Sequence, residues 1–299
     1  MMTLNIHNET NRLKSVILGI GTSMGEPSKN DPKSSFHMEN GTFPIEEDIL
    51  KEISQFEKVL IDNQVNVIRP SCIDDLCQIF TRDIGFVLGD TFFISAMIQQ
   101  RQPEIEGISG FLSTVSPSKI VDIRKIDPEI RIEGGDIIVW DDFILVGKSA
   151  RTNDKGYNFL KDRFRDKKVV QIPIRTSHNH LENVLHLDCA LQPVGNDKLI
   201  LYRDGIESLD GIKSIIDVLE AKKITFDNVV EVNQKQAYRM FPNVFSISKN
   251  KVVIEKRFVE LKFKLKSKGI EVIEVDYAEV SKLSGLFRCS TLPIERTEL

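Results

Sequence analysis

Apolar and polar positions fall into blocks along this chain, and the blocks recur. FTRDIGFVLGDTFFIS (80–95), IEGGDIIVWDDFILVG (132–147), LHLDCALQPVGNDKLILY (185–202) and FPNVFSISKNKVVIEK (241–256) share one pattern. Each reads as an apolar strand, a short polar turn and a second apolar strand. The turns are Gly89-Asp90, Asp141-Asp142, Gly195-Asn196-Asp197 and Lys249-Asn250, residue types suited to tight hairpins. A polar residue precedes each hairpin at the same place: Asp83, Asp136, Asp188 and Asn243, at intervals of 53, 52 and 55 residues. Self-similarity at a fixed period points to a repeat architecture.

Between hairpins the pattern predicts a helical stretch and then one strand. After Asp188 these are GIESLDGIKSIIDVLEAKK and ITFDNVVEV; after Asn243 they are FVELKFKLKSKG and IEVIEVDY. The unit is β-β-α-β. The N-terminal part supplies strand SVILGI (15–20), a helix from Pro44 and strand VNVIRP (65–70). That helix puts Ile45, Ile49, Ile53, Phe56 and Leu60 on one stripe. Units beginning near residues 15, 83, 136, 188 and 243 make five. Cys289 follows Asn243 by 46 residues, where the chain would return to the first unit. An ordinary α/β sandwich is the alternative, and four near-equally spaced hairpins argue against it. A ring of repeats would bring Asp83, Asp136, Asp188 and Cys289 to one central face as a single catalytic domain over 1–299. The polar segment 21–43 carries few strand or helix signals and reads as a solvated loop, with a lid as the other reading.

Composition narrows the partners. The formal net charge is −4 and no basic field marks a nucleic-acid or anionic-membrane surface. No apolar run reaches the length of a membrane span, the first residues lack a signal-peptide core, and four cysteines do not make a disulfide framework. These features predict a cytoplasmic protein with reduced thiols and a small cationic ligand.

Four polar clusters open the predicted strands: TRD (81–83), EGGD (133–136), HLD (186–188) and FRC (287–289). A cysteine acts as a nucleophile through its thiolate, aided by a nearby cation or base. His186 is the candidate base for Cys289. Carboxylates at Asp83, Glu133 and Asp188 suit a planar guanidinium, which pairs bidentately with them. Taken singly, each has a plainer reading: Cys289 as a small buried apolar residue, His186 as an ordinary hydrogen-bonded histidine, Asp136 and Asp188 as turn caps. Their equivalent places in the repeat favour the chemical reading. A rival metal cluster, His178, His180, His186 and Cys189, matches no strong zinc spacing, and strand alternation turns Cys189 away from His186 and Asp188.

With these residues the chain resembles the guanidino-group-modifying enzymes of the pentein superfamily: arginine deiminases, dimethylargininases and amidinotransferases. FTRD, EGGD followed by GKSARTN, HLD and the terminal RCSTLPIER carry the resemblance, which extends over nearly the whole chain. It implies a five-bladed α/β propeller of ββαβ units around a central active site. It also implies Cys289 as nucleophile, His186 as general acid and base, and Glu133 as the carboxylate assisting His186 and the substrate. Asp83 and Asp188 would clasp the guanidinium and Arg151 would bind an α-carboxylate, with Asp136, Arg288 and Asn243 in supporting contact. No cofactor and no metal are implied. The length and single-domain layout are similar to dimethylargininases, EGGD to arginine deiminases, and LSGLFRC lacks the glycine pair often found before the cysteine. The expected activity is hydrolysis of arginine or a substituted arginine through an amidino-cysteine, giving a ureido product such as citrulline. Amidino transfer to an acceptor amine is the alternative, and a non-catalytic binding module a more distant one.

Overall fold

The computed structural model describes residues 2–25 and 31–298. Five three-stranded sheets are present among them, each with the same internal logic. The second comprises β3 (Gly85–Leu88), β4 (Thr91–Ile94) and β5 (Ile120–Asp122); the third, β6 (Ile137–Trp140), β7 (Phe143–Lys148) and β8 (Lys168–Pro173). The fourth comprises β9 (Leu191–Val194), β10 (Lys198–Leu201) and β11 (Val229–Glu231); the fifth, β12 (Phe245–Ser248), β13 (Lys251–Glu255) and β14 (Glu271–Val275). In each, the first two strands form an antiparallel hairpin, and the third returns parallel to the second. The tight turns match the predicted residues: Gly89, Asp141 and Gly195 all have positive φ.

The first sheet is completed by the far end of the chain. Its order is β15-β1-β2, with β1 (Arg12–Leu18), β2 (Asn66–Ile68) and β15 (Thr291–Thr297). Here β15 pairs antiparallel with β1, so the last strand takes the place of the first hairpin strand. The ring closes by hydrogen bonds between the two chain ends. The leading strands β3, β6 and β9 are buried along their whole length, whereas β2, β5 and β11 lie toward solvent. Asp83, Asp136, Asp188, Asn243 and Cys289 each precede such a leading strand by one to three residues, so the repeat places all five around one axis.

Helices cover the outside. α2 (Glu46–Asp62) buries Ile49, Ile53, Phe56 and Leu60, the predicted stripe. It starts two residues after Pro44, and Ile45 caps it at 60% exposure instead of joining the core. α4 (Asp154–Arg163), α5 (Leu209–Ala221) and α6 (Val259–Ser267) do the same in their units. Between β4 and β5 the connection is a 3-10 run, Gln99–Ile108, followed by the one-turn α3 (Ser109–Leu112). Pro103 lies inside that run, where a missing N–H disfavours a regular α-helix.

Segment 21–43 departs from the loop expectation. α1 (Pro32–Glu39) forms there, capped by Asp31, whose carboxylate accepts from Ser34 N at 2.8 Å, with proline in its first turn. Tertiary contacts hold it: Phe36 stacks on His180 with ring centroids 4.1 Å apart, and Lys33 Nζ donates to Tyr238 O at 2.7 Å. These partners lie far along the chain, so local periodicity gave no sign of the helix. Residues 26–30 of that expectation lie outside the described residues. No helix among the described residues is long and apolar enough to cross a membrane.

The seam of the ring is aromatic. Phe56 of α2 meets Phe245, Tyr277 and Phe287, with centroids 6.0, 5.6 and 4.8 Å away. This contact joins the first unit, the fifth unit and the segment leading to Cys289. Phe56→Ala is expected to lower unfolding stability by about 3–5 kcal/mol through lost burial and a residual cavity. Urea denaturation would check it; a loss below about 1 kcal/mol would mean the seam repacks freely.

Candidate active site

The four polar clusters converge because each sits at the start of a leading strand. Short 3-10 turns, Gly134–Asp136 and Leu187–Cys189, deliver two of them. Gly135 is required by close approach: a Cβ there would fall 2.7 Å from both Asp83 Oδ1 and the His186 ring. EGGD therefore carries its glycines because two neighbouring units press against the turn at that point.

His186 is wholly buried between carboxylates. Its Nε2 lies 2.9 Å from Glu133 Oε2, and its Nδ1 lies 3.7 Å from Asp83 Oδ1 without a hydrogen-bond partner. Burial alone would depress the imidazole, but Asp83, Asp136 and Glu133 overcome this and push its pKa up to about 10. Glu133 is the reciprocal case. Burial would raise its pKa, while the bond to His186 and the Arg101 and Arg151 guanidiniums hold it at about 2. Both shifts favour the pair as imidazolium and carboxylate.

The second half of the site surrounds the thiol. Cys289 is buried, and its Sγ lies 3.6 and 3.8 Å from the two Asp188 oxygens. Asn243 Nδ2 donates to this sulfur at 3.1 Å, and Asn243 Oδ1 accepts from Cys289 N at 3.1 Å and Leu286 N at 3.2 Å. Asn243 thus fixes the nucleophile's backbone and side chain together.

Three residues expected to touch the ligand bond to protein partners in this structure. Arg288 is fully buried; Nε and Nη2 donate to Glu9 at 3.2 and 3.0 Å, and Nη1 donates to Asp188 Oδ2 at 2.8 Å. Its Nη2 also donates to Ile137 O at 2.8 Å. Asp136 accepts from Leu187 N at 2.9 Å and Ser149 Oγ at 2.6 Å, so it shapes the turn carrying His186. Burial pushes Asp136 up to about 6 despite these bonds. Asn243 bonds the cysteine segment, as described, and its Nδ2 also donates to Asp188 O at 3.3 Å. Asp83, Glu133 and Arg151 do lie together: Arg151 Nη1 is 3.3 Å from both Glu133 oxygens.

Arg101 and Glu104 are members of this site that periodicity and motif did not reveal. Arg101 Nη1 donates to Asp83 Oδ2 at 2.6 Å, and its Nε and Nη2 form a fork on Glu104 at 2.7 and 2.8 Å. An arginine and a glutamate three apart, directly after a hairpin, were the available signal. Both line a cleft of about 390 Å³ with Arg151, Phe80, Ile98, Leu185 and Asp31. His178 and His180 join no ligand cluster among the described residues; the groupings there are Asp83, Glu133, His186 and Asp188, Cys189, Cys289. Cys189 does not point away as strand alternation predicted. Residues 187–189 form a 3-10 turn, where alternation does not apply.

Five ββαβ units around a central thiol, imidazole and carboxylates define a pentein-fold guanidino-modifying enzyme. A family model described as N,N dimethylarginine dimethylhydrolase, eukaryotic, matches residues 28–296, and the chain belongs to that family. It is 32% identical over 222 residues to protein YkgA of Bacillus subtilis, covering 74% of this chain and 71% of that one. An arginine deiminase of Streptococcus agalactiae is 25% identical, over 85% of this chain and 69% of the relative. Among solved structures, the amidinotransferase SxtG of Microseira wollei superposes with TM-score 0.80 at 18% identity, covering 98% and 97% of the two chains. The N-terminal domain of ArgZ, a cyanobacterial arginine dihydrolase, gives 0.77 at 17% identity, covering 95% and 99%. These last two speak for the fold alone.

Removing the Glu133 charge tests the electrostatics. In Glu133→Gln the His186 pKa should fall by about 1–3 units, because an opposite charge within hydrogen-bond distance is lost. A histidine whose pKa is raised in the folded state stabilises fully below about 6.5 and loses that contribution as pH rises toward about 10. The variant should lose it at lower pH. Imidazole nitrogen NMR against pH, with urea unfolding at matched pH, would check this; an unchanged His186 titration would refute it.

Proposed function

We propose that the chain hydrolyses the guanidinium group of arginine or an Nω-substituted arginine, with Cys289 as nucleophile. One observation carries the reading: Asp83 already grips a guanidinium, that of Arg101, at 2.6 Å, beside the unpartnered Nδ1 of His186. A substrate guanidinium exchanging with Arg101 on Asp83 would lie between that nitrogen and the Asp188–Cys289 pair. The freed Arg101, with Arg151, would then meet the substrate's α-carboxylate at the cleft.

The Cys289 thiolate attacks the guanidinium carbon. Arrival of a second cation shares the carboxylates that hold the His186 proton, which lowers its pKa and readies the proton for transfer. Nδ1 gives that proton to the departing amine as the C–N bond breaks, while Nε2 stays on Glu133. This leaves a thiouronium adduct on Cys289. A water then loses a proton to His186 and attacks the same carbon; the C–S bond breaks and a ureido product leaves. The family match and the arginine deiminase relatives support hydrolysis. Amidino transfer would need a different adduct: the C–N bond to the substrate's side chain would break, leaving a bare amidino group on Cys289 for an entering amine.

Cys289→Ala should retain less than about a hundredth of wild-type kcat, since loss of a nucleophile costs several orders of magnitude. Wild-type enzyme quenched with arginine or a dimethylated arginine should carry a mass adduct on Cys289. Residual activity above that level would end the nucleophile assignment. Adding an acceptor amine distinguishes the outcomes: a guanidino product exceeding ureido product would replace hydrolysis by transfer.

Arg151→Ala should lower kcat/KM for arginine by about 2–4 kcal/mol but leave agmatine, which lacks the carboxylate, far less affected. Steady-state kinetics on both compounds would show it, and equal losses would remove the carboxylate-binding role.

A further inference from the structure

The proposed reaction uses one thiol, yet the site holds two. Cys189 is buried, as Cys289 is. Their sulfurs and an Asp188 carboxylate oxygen all lie within 4.8 Å of one another. Both thiols are aimed at that same carboxylate: Cys189 Sγ is 3.5 Å from Oδ1 and Cys289 Sγ 3.6 Å from Oδ2. The 3-10 turn at 187–189 and the segment before β15 bring residues 100 apart in sequence into this contact. Cys189 also lines a small cavity with Lys33, His180, Tyr238 and Ser284. This cavity is lined by residues other than Arg101, Glu104 and Arg151 of the cleft. Lys33 shares that cavity, where burial pushes its pKa down to about 8 against the opposing pull of Asp31 and Cys189.

We propose that Cys189 is a resolving thiol, which captures an oxidised Cys289 as a reversible intramolecular disulfide when the enzyme meets a hydroperoxide. The Cys289 thiolate attacks one peroxide oxygen, the O–O bond breaks, and hydroxide leaves, giving a sulfenic acid. The Cys189 sulfur then attacks the Cys289 sulfur. The S–O bond breaks, and the departing oxygen takes the Cys189 proton to leave as water. The two sulfurs together lose two electrons, and one hydrogen peroxide becomes two waters. A dithiol reductant reverses the step by two exchanges and is itself oxidised to its disulfide. The hydrogen bond to Cys289, burial and neighbouring Asp188 hold the Cys189 thiol well above its ordinary pKa. A thiol held protonated is a poor nucleophile toward a peroxide, so Cys189 does not take the first step. Capture protects Cys289 from sulfinic and sulfonic acids, which thiols do not reverse. The loss of activity that accompanies capture rests on Cys289 being the nucleophile, as proposed above; the sulfur–sulfur bond does not.

The test exposes the intact protein to a few equivalents of hydrogen peroxide in chelator-containing buffer. Free thiols are then blocked with iodoacetamide, and the protein is digested without reduction. Expected are peptides of Cys189 and Cys289 joined by a disulfide, an intact mass lower by two hydrogens, and activity lost and then restored by dithiothreitol. In Cys189→Ser, Cys289 should instead gain two or three oxygens. The fraction of each protein's own starting activity recovered by dithiothreitol should be about tenfold lower than in wild type, because those acids are irreversible. Wild-type mapping alone decides the question if the variant does not fold. The idea is overturned if wild-type Cys289 gains two or three oxygens with no link to Cys189. It is equally overturned if the only disulfide joins Cys72 to Cys77 or joins two molecules. A mapped Cys189–Cys289 disulfide in fully active enzyme would uphold the pairing and refute Cys289 as nucleophile.

Discussion

Arg288 is the interaction on which the centre of this ring depends. Its guanidinium is fully buried, with Glu9 on one side and Asp188 on the other, and it reaches a third unit through Ile137 O. An isolated buried charge is costly, and removing one partner from a buried pair typically destabilises by about 3–5 kcal/mol. The N-terminal segment, the third unit, the fourth unit and the closing strand must therefore dock together for any of these charges to be tolerated. Arg288 holds Glu9 at about 2 against the upward pull of burial, and Glu9 and Asp188 in turn raise Arg288. Cys289 is its chain neighbour. Whatever positions the guanidinium positions the thiol.

A second charge cluster, around His186, is built for change where the first is built to stay. Asp83, Glu104 and Glu133 are matched in the free enzyme by Arg101, Arg151 and the imidazolium. Arg101 and Arg151 retain some solvent contact at 17% and 12% side-chain exposure, whereas Arg288 has none. Ligand chemistry of the same kind, a guanidinium on one end and a carboxylate on the other, can exchange with these internal pairs at little net electrostatic cost. Under the proposed function, the site carries its own counter-ions until a substrate supplies them. That arrangement keeps three carboxylates close together without leaving any of them unpaired.

Much of the fold was legible in the sequence because a hairpin writes itself locally. Strand alternation, a two- or three-residue turn and a fixed period need no knowledge of distant contacts, and they located β3, β4, β6, β7, β9, β10, β12 and β13. The stripe of α2 was legible for the same reason. Equal placement before each leading strand also singled out Asp83, Asp136, Asp188, Asn243 and Cys289, with Glu133 and His186 read from the polar clusters beside them, since a ring converts equal sequence phase into spatial proximity. The resemblance to guanidino-modifying enzymes supplied roles for them, and the family match supports the class.

What tertiary structure alone decided concerns how side chains spend their hydrogen bonds. Sequence placed Arg288, Asp136 and Asn243 at the centre, but only packing shows that Glu9, Leu187 N, Ser149 and the cysteine backbone consume their polar atoms. Arg101 enters the site from a 3-10 run whose period matches neither strand nor helix. α1 depends on His180 and Tyr238, more than a hundred residues away. Cys189 turned inward because three residues wound into a 3-10 turn where a strand was expected. Period and turn chemistry are properties of neighbours along the chain and were fixed by sequence; charge pairing and side-chain direction depend on neighbours in space, which the chain acquires only when its two ends close the ring.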